Sequence, residues 1–336
     1  EEESVLAVRR RKQRRGRSYA WRYRGRIVAC VFVEVLIICA LVIMVGWNKG
    51  VKEWFEQFEQ PVLKEVDISG INSPNAILMQ ARGGKVLGEI NGDEKIYPAS
   101  MTKIMTVILG IENFDDLDEK ITLTDEMFEG LYEQDATQAG FQPGEEVRVI
   151  DLLYGAMLPS GAECCIALAD TISGSEADFA ELMNKKAAKL GMDNTHFCDS
   201  TGLHNPDHYS TVKDIAVLMK YCIKNDTFRE IIETARHSTG VTNIHPDGIT
   251  YYSTMFKNLS DPTVTGGKIL GGKTGYTSEA GHCLVSFAEI EGREYIFVSA
   301  GASGADGNTI PHIQDAVTVY NRVGAAIEAK MNDNNK

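Results

Sequence analysis

The rhythm of apolar and polar positions changes several times along the chain, and each change predicts an element. Residues 27–47 are apolar with one charge, Glu34; as a helix they span roughly 31 Å, the thickness of a bilayer core. Glu34 costs something like 3 kcal/mol near a helix centre, while the thirteen Val, Ile, Leu and Phe residues there return about 0.3 to 0.6 kcal/mol each. Insertion wins, and a transmembrane helix is expected. Glu34 is then a helix-helix contact or a tolerated defect. Met44-Val45-Gly46-Trp47 has no small-x-small cleavage pattern, which favours a retained anchor over a cleaved signal peptide. Residues 48–74 read as a juxtamembrane linker. It opens on an interfacial collar of Trp54, Phe55 and Phe58 and loosens through Ser69-Gly70-Ile71-Asn72-Ser73-Pro74-Asn75. The folded domain is expected from Asn75.

Strand-like runs at 76–81 and 85–90, joined through Arg82-Gly83-Gly84, predict a β-hairpin. A helical pattern over 101–112 follows Tyr97-Pro98-Ala99-Ser100, placing Ser100 at or just inside a helix N-terminus. Further helical periodicity covers 149–154, 162–172, 175–190 and 211–224. Strand texture returns at 272–277, 282–290 and 295–301, before a last helix over 311–331. Strands at both ends with helices between them predict an α/β fold of the α+β type, with one sheet assembled from both ends of the chain.

Composition changes this picture at the N-terminus. With 336 residues, 43% of them hydrophobic, the chain can bury a large core, and disorder is not the default. Residues 1–26 hold ten Lys or Arg against Glu1, Glu2 and Glu3, a local charge of +7 within a total of −13, so the remainder carries −20. Such a tail would suggest nucleic acid if it stood alone. Beside a spanning helix it marks the cytoplasmic side, which places everything after Trp47 outside the membrane. The first residue, Glu1, points to a start further upstream. Of seven cysteines, Cys30 and Cys39 fall in the anchor. The remaining five, an odd number without metal-ligand spacing, argue against a disulfide framework or a zinc site and suit buried, small apolar roles.

Three short motifs occur in order: Ser100-Met101-Thr102-Lys103, Ser160-Gly161-Ala162 and Lys273-Thr274-Gly275. Alone, a serine three residues before a lysine reads as a helix cap and a surface charge. On one helix the same pair projects to one face, within hydrogen-bond reach, and a serine nucleophile needs such a base. Lys103 accepts a proton only when neutral; burial and a second cation, Lys273, would depress its pKa. The helix N-terminus favours negative charge developing at Ser100. Gly275 on an edge strand would let a substrate backbone lie alongside, and the amides of Ser100 and Tyr276 would then stabilise an oxyanion.

With Pro98-Ala99-Ser100-Met101-Thr102-Lys103, Leu158-Pro159-Ser160-Gly161 and Gly272-Lys273-Thr274-Gly275-Tyr276-Thr277, the chain resembles the penicillin-binding D-alanyl-D-alanine carboxypeptidases, low-molecular-mass serine peptidases of bacterial cell walls. Met183-Asn184-Lys185-Lys186-Ala187, residues 190–197, Gly202-Leu203 and His208-Tyr209-Ser210-Thr211 extend the resemblance over roughly 75–323. It implies a fold like that of the β-lactamases: an antiparallel sheet flanked by helices, with an all-helical subdomain inserted at roughly 114–240 of a catalytic domain over 75–330. It also implies that Ser100 attacks the peptide carbonyl between two D-alanines of a peptidoglycan stem peptide. Ser160 would relay a proton to the leaving amine, and Lys273 and Thr274 would hold the terminal carboxylate. β-Lactam antibiotics would act as covalent inhibitors, and no cofactor would be needed.

The sequence departs from that pattern at Ala162, where the resemblance implies an asparagine whose amide touches lysine and substrate. Adjacent Glu163 would point about 100° away around a helix. No arginine in the final strands matches the one that some relatives use on the carboxylate. The chain also closes soon after the catalytic domain, where many relatives add a β-rich domain and a C-terminal anchor. His196, His208 and His282 are candidate general acids by composition, with structural roles the simpler expectation, and vicinal Cys164-Cys165 is expected to pack. Two rival readings remain: a β-lactamase, for which no deacylating glutamate can be placed, and a wall-peptide binder that does not turn over.

Overall fold

The computed structural model describes residues 63–304 and 310–334. The expected transmembrane helix at 27–47 and its basic tail lie outside the described residues, and among the described residues no helix is long and apolar enough to cross a membrane. Ten strands, β1 to β10, are Asn75–Gln80, Val86–Ile90, Lys120–Thr122, Glu146–Arg148, Arg236–Ser238, Thr250–Tyr252, Thr263–Val264, Gly267–Thr277, Gly281–Ile290 and Arg293–Ala302. The α-helices among the described residues, α1 to α8, are Lys103–Asn113, Val149–Met157, Ala162–Ser173, Glu176–Leu190, Val212–Cys222, Asp226–Glu233, Thr254–Asn258 and Pro311–Asn334.

Six strands form an antiparallel sheet in the order β2-β1-β10-β9-β8-β7, so that both ends of the chain contribute to one layer, as the strand and helix pattern predicts. Ile77 lies opposite Val298 and Leu78 opposite Phe297. Both faces are covered. Ile77, Val285, Phe287 and Val298 enter one core with α1 and α5, while Leu78, Leu284, Tyr295 and Phe297 enter a second with Ile313, Val319, Tyr320 and Val323 of α8. Two covered faces explain why these strands read as apolar runs rather than as alternation, since every side chain has a core to enter.

The helix α1 is buried along eight successive residues from Lys103 to Gly110. A helix that is apolar on all sides must be enclosed on all sides, and α2, α3 and α5 pack around it. The N-cap choices agree with the boundaries: Ser175 accepts from the amide of Asp178, Thr211 from that of Asp214 and Asn225 from that of Phe228.

Two expectations need correction. The folded body begins before Asn75: Leu63, Val66 and Ile68 are buried in the second core, and the amide of Val66 donates to the carbonyl of Leu87 at 2.8 Å. The polar residues 64, 65 and 67 between them face outward, so the segment follows a buried-exposed rhythm too brief to stand out beside the loop that follows. The stretch 114–240 is also not a purely helical insert. Its helix α5 packs on β1 and β10 through the face carrying Ile215, Ala216 and Met219, and residues 236–238 are strand.

If residues 63–68 belong to the core, Leu63→Ala and Ile68→Ala should each destabilise the protein by about 2 to 4 kcal/mol, the range for emptying a buried aliphatic site. Urea unfolding midpoints measure this; a linker would show no change.

Candidate active site

Ser100 lies in a 3-10 turn, Ala99–Thr102, that runs directly into α1. In a 3-10 turn the side chains at i and i+3 eclipse. Lys103 Nζ accordingly donates to Ser100 Oγ at 3.1 Å, and a second proton goes to the carbonyl of Thr201 at 2.6 Å. The turn is held in place by tension as well as by packing. Ala99 adopts φ 46°, a left-handed conformation that disfavours any residue with a Cβ. Behind it, Gly202 at φ +82° approaches so closely that a Cβ there would meet the Ala99 carbonyl oxygen at 1.9 Å. Only glycine fits between that turn and Ser100.

The second motif lies at the turn between α2 and α3. Ser160 has φ 74° and is buried, and the flanking turn is pinned by the amide of Gly161 on the carbonyl of Gly155 and that of Ala162 on the carbonyl of Thr137, both at 2.8 Å. Lys273, on β8, donates to Ser160 Oγ at 2.9 Å and to its neighbour's carbonyl, Thr274 O, at 2.8 Å. The third motif borders the nucleophile through its backbone: a Cβ on Gly275 would come within 3.0 Å of the Ser100 amide nitrogen. Beyond the short pairing of β7 with Gly267 and Lys268, β8 has β9 on one side only, so the Gly271–Thr277 stretch is an open edge. Tyr276 is exposed there, its ring 4.6 Å from that of His282.

Two lysines are therefore buried in one site, Lys103 at 3% and Lys273 at 1% exposure, and among the described residues their nitrogens are met by hydroxyls and carbonyls without a carboxylate partner. Burial, and then the charge of Lys103, hold Lys273 well below the ordinary ammonium range. That pressure falls on the lysine expected to supply the cation.

The profile of the D-alanyl-D-alanine carboxypeptidase family matches residues 62–304. The chain belongs to that family. It is 36% identical over 231 residues to D-alanyl-D-alanine carboxypeptidase DacF of Bacillus subtilis, covering 68% of this chain and 57% of the relative. Against DacC of Escherichia coli the identity is 35% over 262 residues, covering 70% and 58% respectively, so the chain spans somewhat over half the length of these two relatives. The crystal structure of the Streptomyces K15 DD-transpeptidase superposes with a TM-score of 0.68 at 29% identity, covering 78% of this chain and all of that one. The fold is thus the mixed α/β arrangement of the penicillin-binding and β-lactamase type.

In this member of the carboxypeptidase family, the position after Ser160-Gly161 offers only the methyl of Ala162. Glu163 does not substitute. Its Oε1 accepts the amides of Ala139 at 2.6 Å and Gly140 at 2.9 Å, holding the neighbouring loop. Its Oε2 is buried without a partner, and burial pushes the carboxyl's pKa up. Cys164 and Cys165 are fully buried, and burial pushes both thiols up, Cys165 to about 12; they pack rather than react. His196 is exposed, with Nδ1 on the carbonyl of Asp207, and His282 is stacked on His312 with the ring of Tyr276 tilted beside it. Buried His208 meets Thr102 Oγ1 at 2.8 Å and Asp199 at 3.1 Å.

Two groups near the site carry no sequence signal. Thr254, at the start of α7, places Oγ1 at 2.7 Å from Thr274 Oγ1, while its amide donates to the carbonyl of Leu158. It ties the second motif to the third across about a hundred residues of chain. Asp199 knots the turn behind Lys103 through the amides of Thr201 and Gly202. Both act through tertiary contacts, which no local spacing announces.

A lysine with a depressed folded pKa leaves the unfolded chain holding a proton that the folded chain gives up, so stability rises with pH towards the ordinary lysine range near ~10.4. Lys273→Met removes that penalty. It should raise the neutral-pH melting temperature by about 2 to 4 °C, narrow the gap to wild type as pH rises, and abolish acylation of Ser100. Melting curves at neutral and alkaline pH, with labelling by a fluorescent penicillin, check all three.

Proposed function

We propose that the chain is a serine-type D-Ala-D-Ala carboxypeptidase that trims the terminal D-alanine from peptidoglycan stem peptides. One observation carries the reading: Ser100 Oγ lies 3.1 Å from Lys103 Nζ, at the end of a buried helix and against the edge strand of the third motif. Acylation requires Lys103 in its amine form, with a lone pair on Nζ facing Ser100. Lys103 takes the Ser100 proton as Oγ bonds to the carbonyl carbon of the penultimate D-alanine. The amides of Ser100 and Tyr276 face the oxyanion that develops, each such donor being worth about 2.7 to 4 kcal/mol. The C–N bond then breaks as the proton that Lys103 took passes by way of Ser160 to the leaving amine, which returns Lys103 to its base form, and D-alanine departs with its carboxylate beside Thr274. Water hydrolyses the ester, with Lys103 again as base, and restores Ser100. β-Lactams enter by the same acylation and leave slowly.

The residue series 27–47, with ten basic residues before it, supports a single-pass anchor with the catalytic body outside the cytoplasmic membrane, where the wall substrate is. The residues present at the site call for no metal or organic cofactor in this scheme.

A second reading, a weakly turning-over or purely binding protein, is favoured by Ala162, whose methyl leaves Lys103 without a side-chain amide. A β-lactamase is disfavoured because Glu163, beside the second motif, is committed to the amides of Ala139 and Gly140 rather than free to activate water.

Incubated with a D-Ala-D-Ala pentapeptide, the protein should release D-alanine, and mass spectrometry after penicillin should find one adduct on Ser100 that Ser100→Ala abolishes. Peptide binding without an adduct would establish the binder; rapid penicillin turnover would establish the β-lactamase.

A further inference from the structure

Asp199 is the hub of the turn that faces Lys103. Its Oδ1 accepts the amide of Thr201 at 2.7 Å, the hydroxyl of Thr201 at 2.8 Å and the amide of Gly202 at 2.6 Å. Its Oδ2 takes Nδ1 of His208 at 3.1 Å, and the other ring nitrogen of His208 meets Thr102 Oγ1, inside the turn that carries Ser100. Burial by itself would raise the Asp199 carboxyl, but His208, Thr201 and Gly202 outweigh it and hold it at about 2. An ionised carboxylate only accepts, so the His208 ring faces it as a donor and links Asp199 to Thr102 in the turn that carries Ser100.

The neighbouring residue is gripped from the other side. Ser200 donates its amide and hydroxyl to Glu176 of α4, at 3.1 and 2.6 Å, while its carbonyl accepts Thr106 Oγ1 of α1 at 2.6 Å. Between these two anchors one group is aimed into the site: the carbonyl of Thr201, which accepts Lys103 Nζ at 2.6 Å, closer than the bond from Lys103 to Ser100. Besides Ser100 Oγ it is the acceptor that Lys103 has among the described residues, and Ala162 supplies none.

We propose that Asp199 is a positioning residue of the active site, tying the turn so that the Thr201 carbonyl fixes the Lys103 nitrogen against Ser100, a task for which this chain has no amide at position 162. The inference rests on the hydrolase reading above. Asp199 touches no substrate; it acts through the backbone of Thr201. The turn could instead serve folding alone, and the two roles separate in kinetics: a structural role lowers the amount of competent protein, while a positioning role lowers the rate at which each competent molecule acylates.

The test measures, on the full chain, the acylation rate constant and the initial dissociation constant for a fluorescent penicillin, alongside the melting temperature. Asp199→Ala removes all four bonds and should lower the rate constant about 10- to 100-fold, the consequence of a misplaced catalytic group, with the dissociation constant changed less than about twofold. Asp199→Asn keeps an oxygen for the three Oδ1 bonds and should recover the rate to within about threefold of wild type, one hydrogen bond's worth. Thr201→Val, which loses one donor and leaves the backbone intact, should fall between them and serves if Asp199→Ala does not fold. Acylation of Asp199→Ala or Thr201→Val at the wild-type rate overturns the proposal. So does an Asp199→Asn protein as slow as the alanine variant, since charge and not the turn would then be responsible. Wild-type protein that forms no adduct overturns the hydrolase reading, and this inference with it.

Discussion

Two lysines buried within one small site, with no carboxylate among the described residues paired to either, set the terms for the rest of the molecule. Removing an ammonium from water is expensive unless it is paired, and two of them repel. The relief available is to surrender a proton, and a lysine that has done so is a base. The same burial that makes the site unfavourable to assemble weakens the hold of Lys273 on its proton. The surrounding structure must then hold them where they would not choose to remain, and the enclosing layers do this: α1 is surrounded along eight residues, and β8 lies in a sheet covered on both faces.

Backbone strain accumulates at the same place. Ala99 and Ser160, the residue before the nucleophile and the second serine itself, both take positive φ without being glycine. Such conformations persist where neighbours overdetermine them. Gly202 is wedged against the carbonyl of Ala99, and the Ser160 turn is fixed by bonds from Gly161 and Ala162 to Gly155 and Thr137. Strain and charge are thus both absorbed by glycine turns and backbone bonds and not by ion pairs, which would restore the lysines to their ordinary state.

Much of this was legible in the sequence because it is local or periodic. The three motifs declare the paired side chains, since Ser100 and Lys103 sit one turn apart wherever that helix lies. The long strands β9 and β10 and the capped helices declare themselves through apolar runs and through Ser175 and Thr211. What escaped notice depends on neighbours distant in the chain. Short strands of two or three residues, such as β3 and β7, exist only through their partners. Residues 63–68 look like a linker until β2 is placed beside them. Thr254 meets Thr274, and Asp199 meets His208, because the fold delivers them. Lys273 was anticipated as a charge acting on Lys103, but the enclosure that presses on Lys273 itself is a tertiary property.

Ala162 shows why this distinction bears on function. Judged by the motif alone, it removes an amide and leaves Lys103 short of a partner. Judged by the fold, Lys103 has a partner supplied by another segment: a backbone carbonyl on a turn tied from α1, from α4 and through Asp199. A backbone carbonyl cannot be lost by substitution at its own position, whereas a side-chain amide can. It can be displaced only by loosening the turn, which moves the vulnerability of the site from position 162 to residues 199–202. A methyl at 162 is tolerable where that turn is rigid. The same methyl on a loose turn would leave a buried lysine without direction, which the nearby Ser100 could not correct by itself.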